Sequence, residues 1–358
     1  MNDSEPADRS RELVTAAEQA CAERSPVYVS AGGSKREILG RHCEARLLDV
    51  SGHRGIVDYH SDELVITARA GTPLTDIASS LAEQGQLLAF DPPLFGGRAT
   101  LGGTLACNLS GPARPWSGSI RDAVLGVQLI NGRGELLNFG GKVMKNVAGY
   151  DASRLQAGAL GTLGIISQVS LRTLPRHEHS LSLTFEMSAQ EAIDSMNRRA
   201  GEARSLNGAY WVDGRLYLRL AGTANAVDHT ARLWGGEVLP EEAASWNQLR
   251  EMTLPFFSGD APLWRFSVKS SAPFNPAFGE SLIDWCGAQR WVRGEHDQAA
   301  VHAAAAMAGG HAGLFRGGDR QGDLRQPLNP VEQGLQRRLK QAFDPEGIFN
   351  PGRLYSWM

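Results

Sequence analysis

Short clusters of glycine between apolar segments constrain this sequence more than any other feature. The apolar run 26–30 is predicted to be a strand that leads directly into Ala31-Gly-Gly-Ser-Lys35. A turn of this kind frees consecutive backbone N–H groups, which together form a binding site for anions. A second glycine cluster spans residues 99–111, and a third combines Lys145-Asn-Val-Ala-Gly-Tyr-Asp151 with residues 158–166. A tight turn explains any one of these segments, but the set predicts three loops that hold one long ligand.

Two common nucleotide-binding motifs are absent from these clusters. The one Gly-Lys pair, Gly141-Lys142, is followed by Val143 and lacks the upstream glycine of a P-loop. Gly158, Gly161 and Gly164 have the wrong spacing for the Rossmann fingerprint and precede a predicted strand rather than a helix. These departures exclude P-loop ATP hydrolysis and argue against nicotinamide binding by the Rossmann route.

Charge and cysteine content exclude several other classes of protein. The chain carries 36 Lys and Arg against 39 Asp and Glu, so its net charge of -3 does not favour nucleic acid or an anionic membrane. The four cysteines are scattered without a C-x-x-C pair, which predicts neither a metal cluster nor a disulfide framework. The acidic start is unlike a signal peptide, and the small-apolar stretch 299–315 is shorter than the roughly 20 residues of a membrane span. We expect a cytoplasmic protein that reaches the inner face of a membrane only through partners.

The order of predicted elements favours an α+β protein of about two domains. At about 150 residues per domain, 358 residues are enough for two cores. The first half reads as two small α/β lobes, with an antiparallel sheet between residues 100 and 174. From residue 181 the order is β-α-β-β-α, which is typical of a ferredoxin-like unit. A last helix, 330–343, is stopped by Asp344-Pro345.

Several of these segments resemble a known family. The PCMH-type FAD-binding domain of the vanillyl-alcohol oxidase type flavoproteins is similar to this chain over roughly residues 25–175, at Gly32-Gly-Ser34, Gly71-Thr-Pro-Leu-Thr-Asp76, Thr100-Leu-Gly-Gly103, Asn108-Leu-Ser-Gly111, Gly118-Ser-Ile-Arg-Asp122 and Gly161-Thr-Leu-Gly-Ile-Ile166. The Lys145–Asp151 segment and the ending 343–352 resemble the glycolate oxidase and D-lactate dehydrogenase branch. The overall arrangement is most similar to the FAD-binding subunits of three-subunit bacterial glycolate oxidases.

The resemblance implies a fold in three parts. A two-lobed FAD-binding domain carries a ferredoxin-like α+β cap over the flavin, and the C-terminal segment returns to the FAD domain. The corresponding bounds are an N-terminal helix at 1–24, the FAD-binding domain at 25–178, the cap at 179–325, and a C-terminal helix and tail at 326–358.

The resemblance also assigns residues to the cofactor. Gly32, Gly33 and Ser34 correspond to the pyrophosphate, and Gly161 and Ile166 to the adenine end. The ribityl and flavin positions correspond to Gly102, Gly103, Asn108 and Gly111, and the remaining candidates are Lys35, Gly71, Thr100, Ser110, Gly118, Gly164 and Ile165. Covalent attachment in this superfamily commonly uses a histidine in the first loop, where this chain has Ser34, so we expect non-covalent FAD.

One departure from the family concerns catalysis. Catalytic members of the branch carry an H-x-G-D-G-N-x-H metal motif in the cap, and the nearest fragment here, His311 to Asp319, lacks the second histidine. We therefore expect no metal, and we interpret His296, His302 and His311 as ordinary cap histidines. Arg265 is the candidate cation for a substrate carboxylate; the alternative is an arginine that packs against Trp264 on a strand.

These observations predict the FAD-binding subunit of a complex that oxidises glycolate to glyoxylate. Electrons would pass to a partner iron–sulfur subunit, with a catalytic FAD subunit beside this chain. Two alternatives stay open: a self-sufficient FAD-dependent oxidase of a sugar, lactone or alcohol, and a non-catalytic scaffold that FAD stabilises. The isolated chain is expected to oxidise glycolate poorly, since a positioned base is missing. If it does turn over, Tyr150, His296 and His311 are the candidates for that base.

Overall fold

The structure, a computed structural model, describes residues 7–141, 151–240 and 245–358. The first six residues lie outside these ranges, and so does most of the predicted loop at 145–151, including Tyr150. Helices and strands together confirm the predicted α+β class. The helices are α1 (Ser10–Ala22), α2 (Leu74–Glu83), α3 (Leu101–Cys107), α4 (Arg114–Ser117), α5 (Ile120–Ala123), α6 (Ala189–Ala200), α7 (Ala224–Trp234), α8 (Trp246–Glu251), α9 (Gln298–Met307) and α10 (Pro330–Phe343).

The first lobe is built on one helix and a two-stranded parallel sheet. The strands are β1 (Val27–Ser30) and β2 (Arg46–Asp49). Leu13, Ala17 and Ala20 recur at helical spacing, so α1 buries one face against this lobe. The same core includes Ile348 and Phe349 from the C-terminal end of the chain.

The second lobe is a five-stranded antiparallel sheet in the order β3-β4-β8-β6-β7. Its strands are β3 (Ile56–His60), β4 (Val65–Arg69), β6 (Val124–Ile130), β7 (Leu136–Gly140) and β8 (Ile165–Arg172), and a small separate pair is formed by β5 (Gln86–Leu87) and β9 (Leu174–Pro175). Leu74, Ile77 and Leu81 of α2 pack into the core of this lobe with α3. The prediction of an antiparallel sheet in this region is confirmed.

The second glycine cluster differs from its prediction as a loop, because residues 101–107 form the helix α3. The Thr100 hydroxyl caps the helix by accepting from the Gly103 N–H at 3.4 Å. A Cβ on Gly102 would lie 2.6 Å from Cβ of Ala70, so this glycine lets α3 approach the end of β4. Because α3 is short and contains two glycines, its sequence shows no clear apolar periodicity of a helix.

The cap contains one eight-stranded sheet in the order β13-β10-β12-β11-β15-β16-β14-β17. Its strands are β10 (His179–Glu186), β11 (Leu206–Val212), β12 (Arg215–Gly222), β13 (Glu237–Leu239), β14 (Leu263–Ser267), β15 (Ser281–Asp284), β16 (Gln289–Arg293) and β17 (His311–Arg316). The first four strands, with α6 and α7, have the predicted ferredoxin-like order. The other four extend the sheet through two residue pairs between β11 and β15, Tyr210 with Asp284 and Trp211 with Ile283.

The C-terminal tail, residues 344–358, is tied to the first lobe by hydrogen bonds. The Val27 N–H donates to the Ile348 carbonyl at 2.8 Å, and the Asn350 N–H returns to the Val27 carbonyl at 2.9 Å. The Asn350 side chain accepts from the Val29 N–H and donates to the Leu160 carbonyl, both at 2.7 Å. One buried amide therefore joins the first lobe, the 160–166 loop and the tail.

Arg353 forms a second connection from the tail. Its guanidinium, 4 % exposed, donates to five backbone carbonyls of the segment that follows the first glycine loop. The five acceptors are the carbonyls of Lys35, Arg36, Ile38, Gly40 and Arg41. This arginine satisfies carbonyls that an irregular buried segment would otherwise leave unpaired. Within the described ranges, no helix is long and apolar enough to span a membrane.

The two side-chain hydrogen bonds of Asn350 predict how an isosteric substitution changes stability. Asn350→Asp removes the donor to Leu160 and turns a carboxylate oxygen toward that carbonyl. Because residue 350 is 3 % exposed, we expect the free energy of unfolding to fall by about 3 kcal/mol. Urea unfolding of both proteins at pH 7 measures this difference in the free energy of unfolding.

Asn329→Asp is the control, since Asn329 caps α10 at the surface and aspartate caps equally well. Equal stability of the two variants would contradict the structural role given to Asn350.

Candidate functional site

A cleft of about 720 Å³ opens between the two lobes of the first domain. The loop after β1, one face of α3, the 160–166 loop and the C-terminal tail form its walls. Ten of the predicted cofactor residues meet here: Gly32, Gly33, Ser34, Lys35, Thr100, Gly102, Gly103, Gly161, Gly164 and Ile166.

The first glycine loop presents backbone donors to this cleft. Gly33 has φ +65°, a conformation that glycine adopts without strain, and a Cβ there would meet no atom within 4 Å. The N–H groups of Gly33, Ser34 and Lys35 donate to no acceptor in the described part of the chain. Consecutive free amides at a turn form an anion-binding concavity.

Lys35 adds a full positive charge at the same place. The residue is only 8 % exposed; its ammonium lies 3.2 Å from the Ser34 hydroxyl and 5.3 Å from the centre of the Phe95 ring. No carboxylate within the described ranges lies within ion-pair distance of it. Burial holds the pKa of Lys35 below its ordinary value, with Cys107 and Glu251 opposing that shift. A buried cation without a partner is costly, so this position suits an anion.

Several glycines that line the cleft are also required for chain packing. A Cβ on Gly32 would lie 1.8 Å from the Arg98 carbonyl, and one on Gly161 would lie 2.6 Å from the Asn350 amide nitrogen. Gly164 is similarly held against the Ile130 carbonyl at 2.5 Å. Beside Gly33, two predicted glycines of the cleft have a Cβ position whose near neighbours are side-chain atoms alone: Gly161, next to Asn350, and Gly103, 3.1 Å from the Thr100 hydroxyl and 3.9 Å from the Lys35 ammonium.

Four predicted cofactor residues do not line this cleft or the second cavity of the structure: Asn108, Gly71, Gly118 and Ile165. Gly71 packs against the Val50 carbonyl, and Gly118, at φ +81°, ends the short helix α4. Ile165 belongs to the core that includes Phe349, while Ile166 lines the cleft. Successive strand residues face opposite sides of a sheet, so only one of these two isoleucines reaches the cleft.

The segment that follows α3 leads from the cleft to a second cavity, of about 410 Å³, beneath the cap. Ser110 and Gly111 line it, and Asn108 occupies the turn between the two cavities. The Asn108 Oδ1 atom and the Ser110 hydroxyl are buried without a hydrogen-bond partner. Buried polar atoms are nearly always paired, so these two mark a place for ligand atoms.

Gly111 is the junction between this segment and the cap. Its N–H donates to the Phe90 carbonyl at 2.9 Å, and its own carbonyl accepts from the Trp285 indole at 3.0 Å. A Cβ would lie 2.0 Å from the Asp91 carbonyl. Glycine is therefore required here by close packing, and the contact holds one end of the cap sheet over the second cavity.

Arg265 lines the second cavity, as a substrate-binding cation would. The alternative of packing against Trp264 is not observed; its guanidinium lies over the Phe315 ring at 5.6 Å. Burial, with Arg325 and Arg114 nearby, lowers the pKa of Arg265 to about 10, so it is protonated at neutral pH. Its side chain has no hydrogen bond or ion pair with any described residue.

Asp284, which the sequence analysis did not identify, lines the same cavity. It is 3 % exposed. Its two oxygens accept from the Trp285 N–H at 2.7 Å and from the Gln289 amide at 3.3 Å. Burial raises the pKa of Asp284 to about 7. No motif marks this aspartate, since only the pairing of β15 with β11 and β16 brings it to the cavity.

The histidines considered as bases or ligands lie elsewhere. His296 contacts the Arg293 carbonyl and the Phe278 ring, and His302 lies on α9. His311 begins β17 with an exposed side chain. In the described ranges, no group of three or more His, Cys, Asp or Glu side chains is arranged to hold a metal ion.

Sequence reasoning also missed Asn350 and Arg353, which line the cleft. The Asn-Pro-Gly-Arg ending was assigned to the FAD domain as a tail, without a role at the cofactor. Their proximity to the glycine loop could be inferred only from the family resemblance of that ending, because more than 300 residues separate them from their partners in the chain.

Comparison with known proteins agrees with this geometry. Residues 7–140 match a family model described as FAD binding domain, and residues 316–354 match the C-terminal domain of FAD linked oxidases. Glycolate oxidase subunit GlcE of Escherichia coli is 45% identical, over 98% of both chains. A D-lactate dehydrogenase of Archaeoglobus fulgidus is 23% identical, over 92% of this chain and 86% of its own.

Solved structures share the fold. An alkyldihydroxyacetonephosphate synthase superposes with a TM-score of 0.66 over 97% of this chain and 76% of its own, at 15% identity. At that identity the likeness concerns the fold alone. The two lobes, the cap and the returning C-terminal segment are therefore a shared architecture.

Two buried lysines allow a test of the cleft. Lys35→Met removes an unpaired cation, so we expect the free energy of unfolding of the apoprotein to stay the same or rise. The affinity for FAD should fall about 10- to 100-fold, the value of one or two charge-assisted hydrogen bonds. Urea unfolding and FAD titration measure the two effects.

Lys340→Met is the matched comparison, because Lys340 pairs with the buried Asp344 at 2.7 Å. Here we expect the apoprotein to lose about 3 kcal/mol. If Lys35→Met lowered the stability but left the FAD affinity unchanged, Lys35 would stabilise the fold rather than bind the cofactor.

Proposed function

Since this chain belongs to the family of FAD-linked oxidases, we propose that it is the FAD-binding subunit of a glycolate-oxidising complex. The observation that carries the proposal is the cleft, where free backbone amides and an unpaired lysine face the same space as α3. The 45% identity to a glycolate oxidase subunit over 98% of the chain supports the choice of substrate.

The residues of the cleft fit FAD. The amides of Gly33, Ser34 and Lys35, together with the Lys35 ammonium, would hold the pyrophosphate. The unpaired Asn108 Oδ1 and Ser110 hydroxyl would meet polar atoms farther along the cofactor. Ser34 occupies the loop position where relatives carry a histidine for covalent attachment, which supports non-covalent binding.

When bound, FAD would accept the two electrons that a 2-hydroxy acid loses as it is oxidised. The chain orients that acid and excludes water from it. Arg265 is the proposed partner of the substrate carboxylate, since it lines this cavity and forms no ion pair with any described residue. Leu109, Phe257 and Trp291 line the same space, which limits access of solvent.

Partner subunits are proposed to take the electrons from this chain. The four cysteines are unpaired and distant in sequence, and the described residues include no cluster that could hold iron. We propose an iron–sulfur subunit as the acceptor and a second, catalytic FAD subunit beside this chain. The Arg265 cavity favours a chemical role over a scaffold, and the self-sufficient oxidase remains the second candidate because that cavity lies within one chain.

The FAD assignment predicts a selective effect of one glycine substitution. Gly103→Val places a branched side chain next to Lys35, where only the flexible Thr100 hydroxyl and the lysine must yield. We expect a folded protein that retains less than about a tenth of the wild-type FAD, a loss near 1.4 kcal/mol or more. Absorbance of purified protein gives the flavin content, and acid precipitation should release the flavin from wild type into the supernatant.

Gly334→Val, in an open position on α10, is the control and should keep full flavin content. A folded Gly103→Val protein with full flavin would disprove our placement of the cofactor. Flavin that stays with the acid pellet would disprove non-covalent binding.

The complex assignment predicts dependence on partners. The isolated chain should oxidise glycolate slowly with an artificial dye acceptor, and adding the partner subunits should raise the rate at least about tenfold. Steady-state assays with glycolate, D-lactate and an aldonolactone measure this. A rate for the isolated chain equal to that of the complex would favour the self-sufficient oxidase.

A further inference from the structure

Two side chains of opposite charge, the partly buried Arg265 and the buried Asp284, line the cap cavity without pairing with each other. Arg265 has no hydrogen bond or ion pair within the described ranges, and Asp284 accepts only from a backbone amide and from Gln289. The distance between the two charged groups exceeds the 4 Å of an ion pair. Proteins rarely bury charges without partners, since each unpaired charge costs several kcal/mol.

Strand register places both side chains on the same face of the cap sheet. Arg265 pairs with Trp291, and Asp284 pairs with Gln289 two residues earlier on β16. Residues two apart on a strand point to the same side, so both face the first domain. The Trp285 indole, bound to the Gly111 carbonyl, fixes this end of the sheet over Ser110.

We propose that this cavity takes up a small 2-hydroxy or 2-oxo monocarboxylate together with one proton, the carboxylate on Arg265 and the proton on Asp284. The proposal rests on the proposed function, and it adds proton linkage to the substrate site. Such a ligand gives Arg265 its missing anion, while the neutral form of Asp284 removes the second unpaired charge.

The electrostatics of the cavity support this coupling. Burial already raises the pKa of Asp284 to about 7, with Arg219 lowering it and Asp91 raising it. A carboxylate bound to Arg265 adds a negative charge nearby and raises that pKa further. Linkage is reciprocal, so protonation of Asp284 strengthens binding by the same factor.

The sign of the pH dependence follows from that shift. Below about pH 7 Asp284 is already protonated and affinity is at its maximum. Above pH 7 a proton must be taken up with the ligand, so affinity falls by up to about tenfold per pH unit. The other charged or titratable groups around Asp284 are Arg250, which lines the cavity, and Tyr210 and Cys286 on neighbouring segments, whose pKa values are both raised.

The lining defines the class of ligand. Arg265 is the one cation among the described lining residues without an ion pair, because Arg250 pairs with Asp91 and Glu251; this calls for a single carboxylate. Neutral Asp284 and the unpaired Ser110 hydroxyl offer hydrogen bonds to one adjacent oxygen. A second carboxylate would find no unpaired cation among the described lining residues, which disfavours dicarboxylates.

Oxamate, a monocarboxylate that cannot be oxidised, is the probe. Calorimetric titration of the FAD-loaded protein between pH 6 and 9, in buffers of different ionisation enthalpy, gives both affinity and proton uptake. For wild type we expect Kd at pH 8.5 to be at least about fivefold higher than at pH 6.5, with up to one proton taken up. Acetate, which has no oxygen on the carbon next to its carboxylate, should bind more weakly.

Three variants separate the contributions. Asp284→Asn should bind oxamate with nearly constant Kd across this pH range, and Arg265→Met should bind at least about 30-fold more weakly at pH 6.5. Asp228→Asn, an exposed site on α7, should behave as wild type.

Proton uptake by wild type is measurable even if a variant fails to fold. Any of three results would overturn the proposal. They are a wild-type Kd for oxamate that does not change with pH, an Asp284→Asn protein whose Kd depends on pH as in wild type, and an Arg265→Met protein with full affinity. Purified wild type that takes up no FAD would instead disprove the proposed function. FAD-loaded protein that ignores oxamate would disprove only the carboxylate site.

Discussion

The cofactor cleft depends on two buried side chains contributed by the end of the chain. Asn350 joins the strand β1 to the 160–166 loop, and Arg353 holds five carbonyls of the segment after the first glycine loop. The tail therefore defines the spacing between the walls, and the site is complete only when the last residues have folded onto the first lobe.

Features with local signals could be predicted from the sequence. The strand that leads into Gly32 and Gly33, the ferredoxin-like order of the cap and the capped helix α10 each follow from a few neighbouring residues. The helix α3 was missed because Gly102 and Gly103 have low helix propensity, and packing against Ala70 overrides it. Gly32 and Gly161 line the cleft and are also held by close packing against the chain, and this second role has no signal of its own in the sequence.

Features that depend on long-range pairing could not be predicted. Asp284 reaches the cap cavity through two residue pairs between β11 and β15, strands more than 70 residues apart. Arg265 was identifiable as a cation on a strand, but its lack of a partner is a property of the folded chain. Unpaired charges of this kind lower stability, and proteins retain them where a ligand completes the pair.

The two cavities are coupled by one short segment. α3 lines the cofactor cleft, and Ser110 and Gly111 directly after it line the carboxylate cavity. Gly111 is also clamped between the Phe90 carbonyl and the Trp285 indole, one residue from Asp284. We expect a cofactor in the cleft to restrict this segment through α3, and the hydrogen bond from Trp285 to Gly111 to restrict in turn the cap sheet that carries both charges. The FAD-loaded chain should therefore bind carboxylates more tightly than the apoprotein, because the cofactor fixes in advance the segment that the second ligand would otherwise have to order.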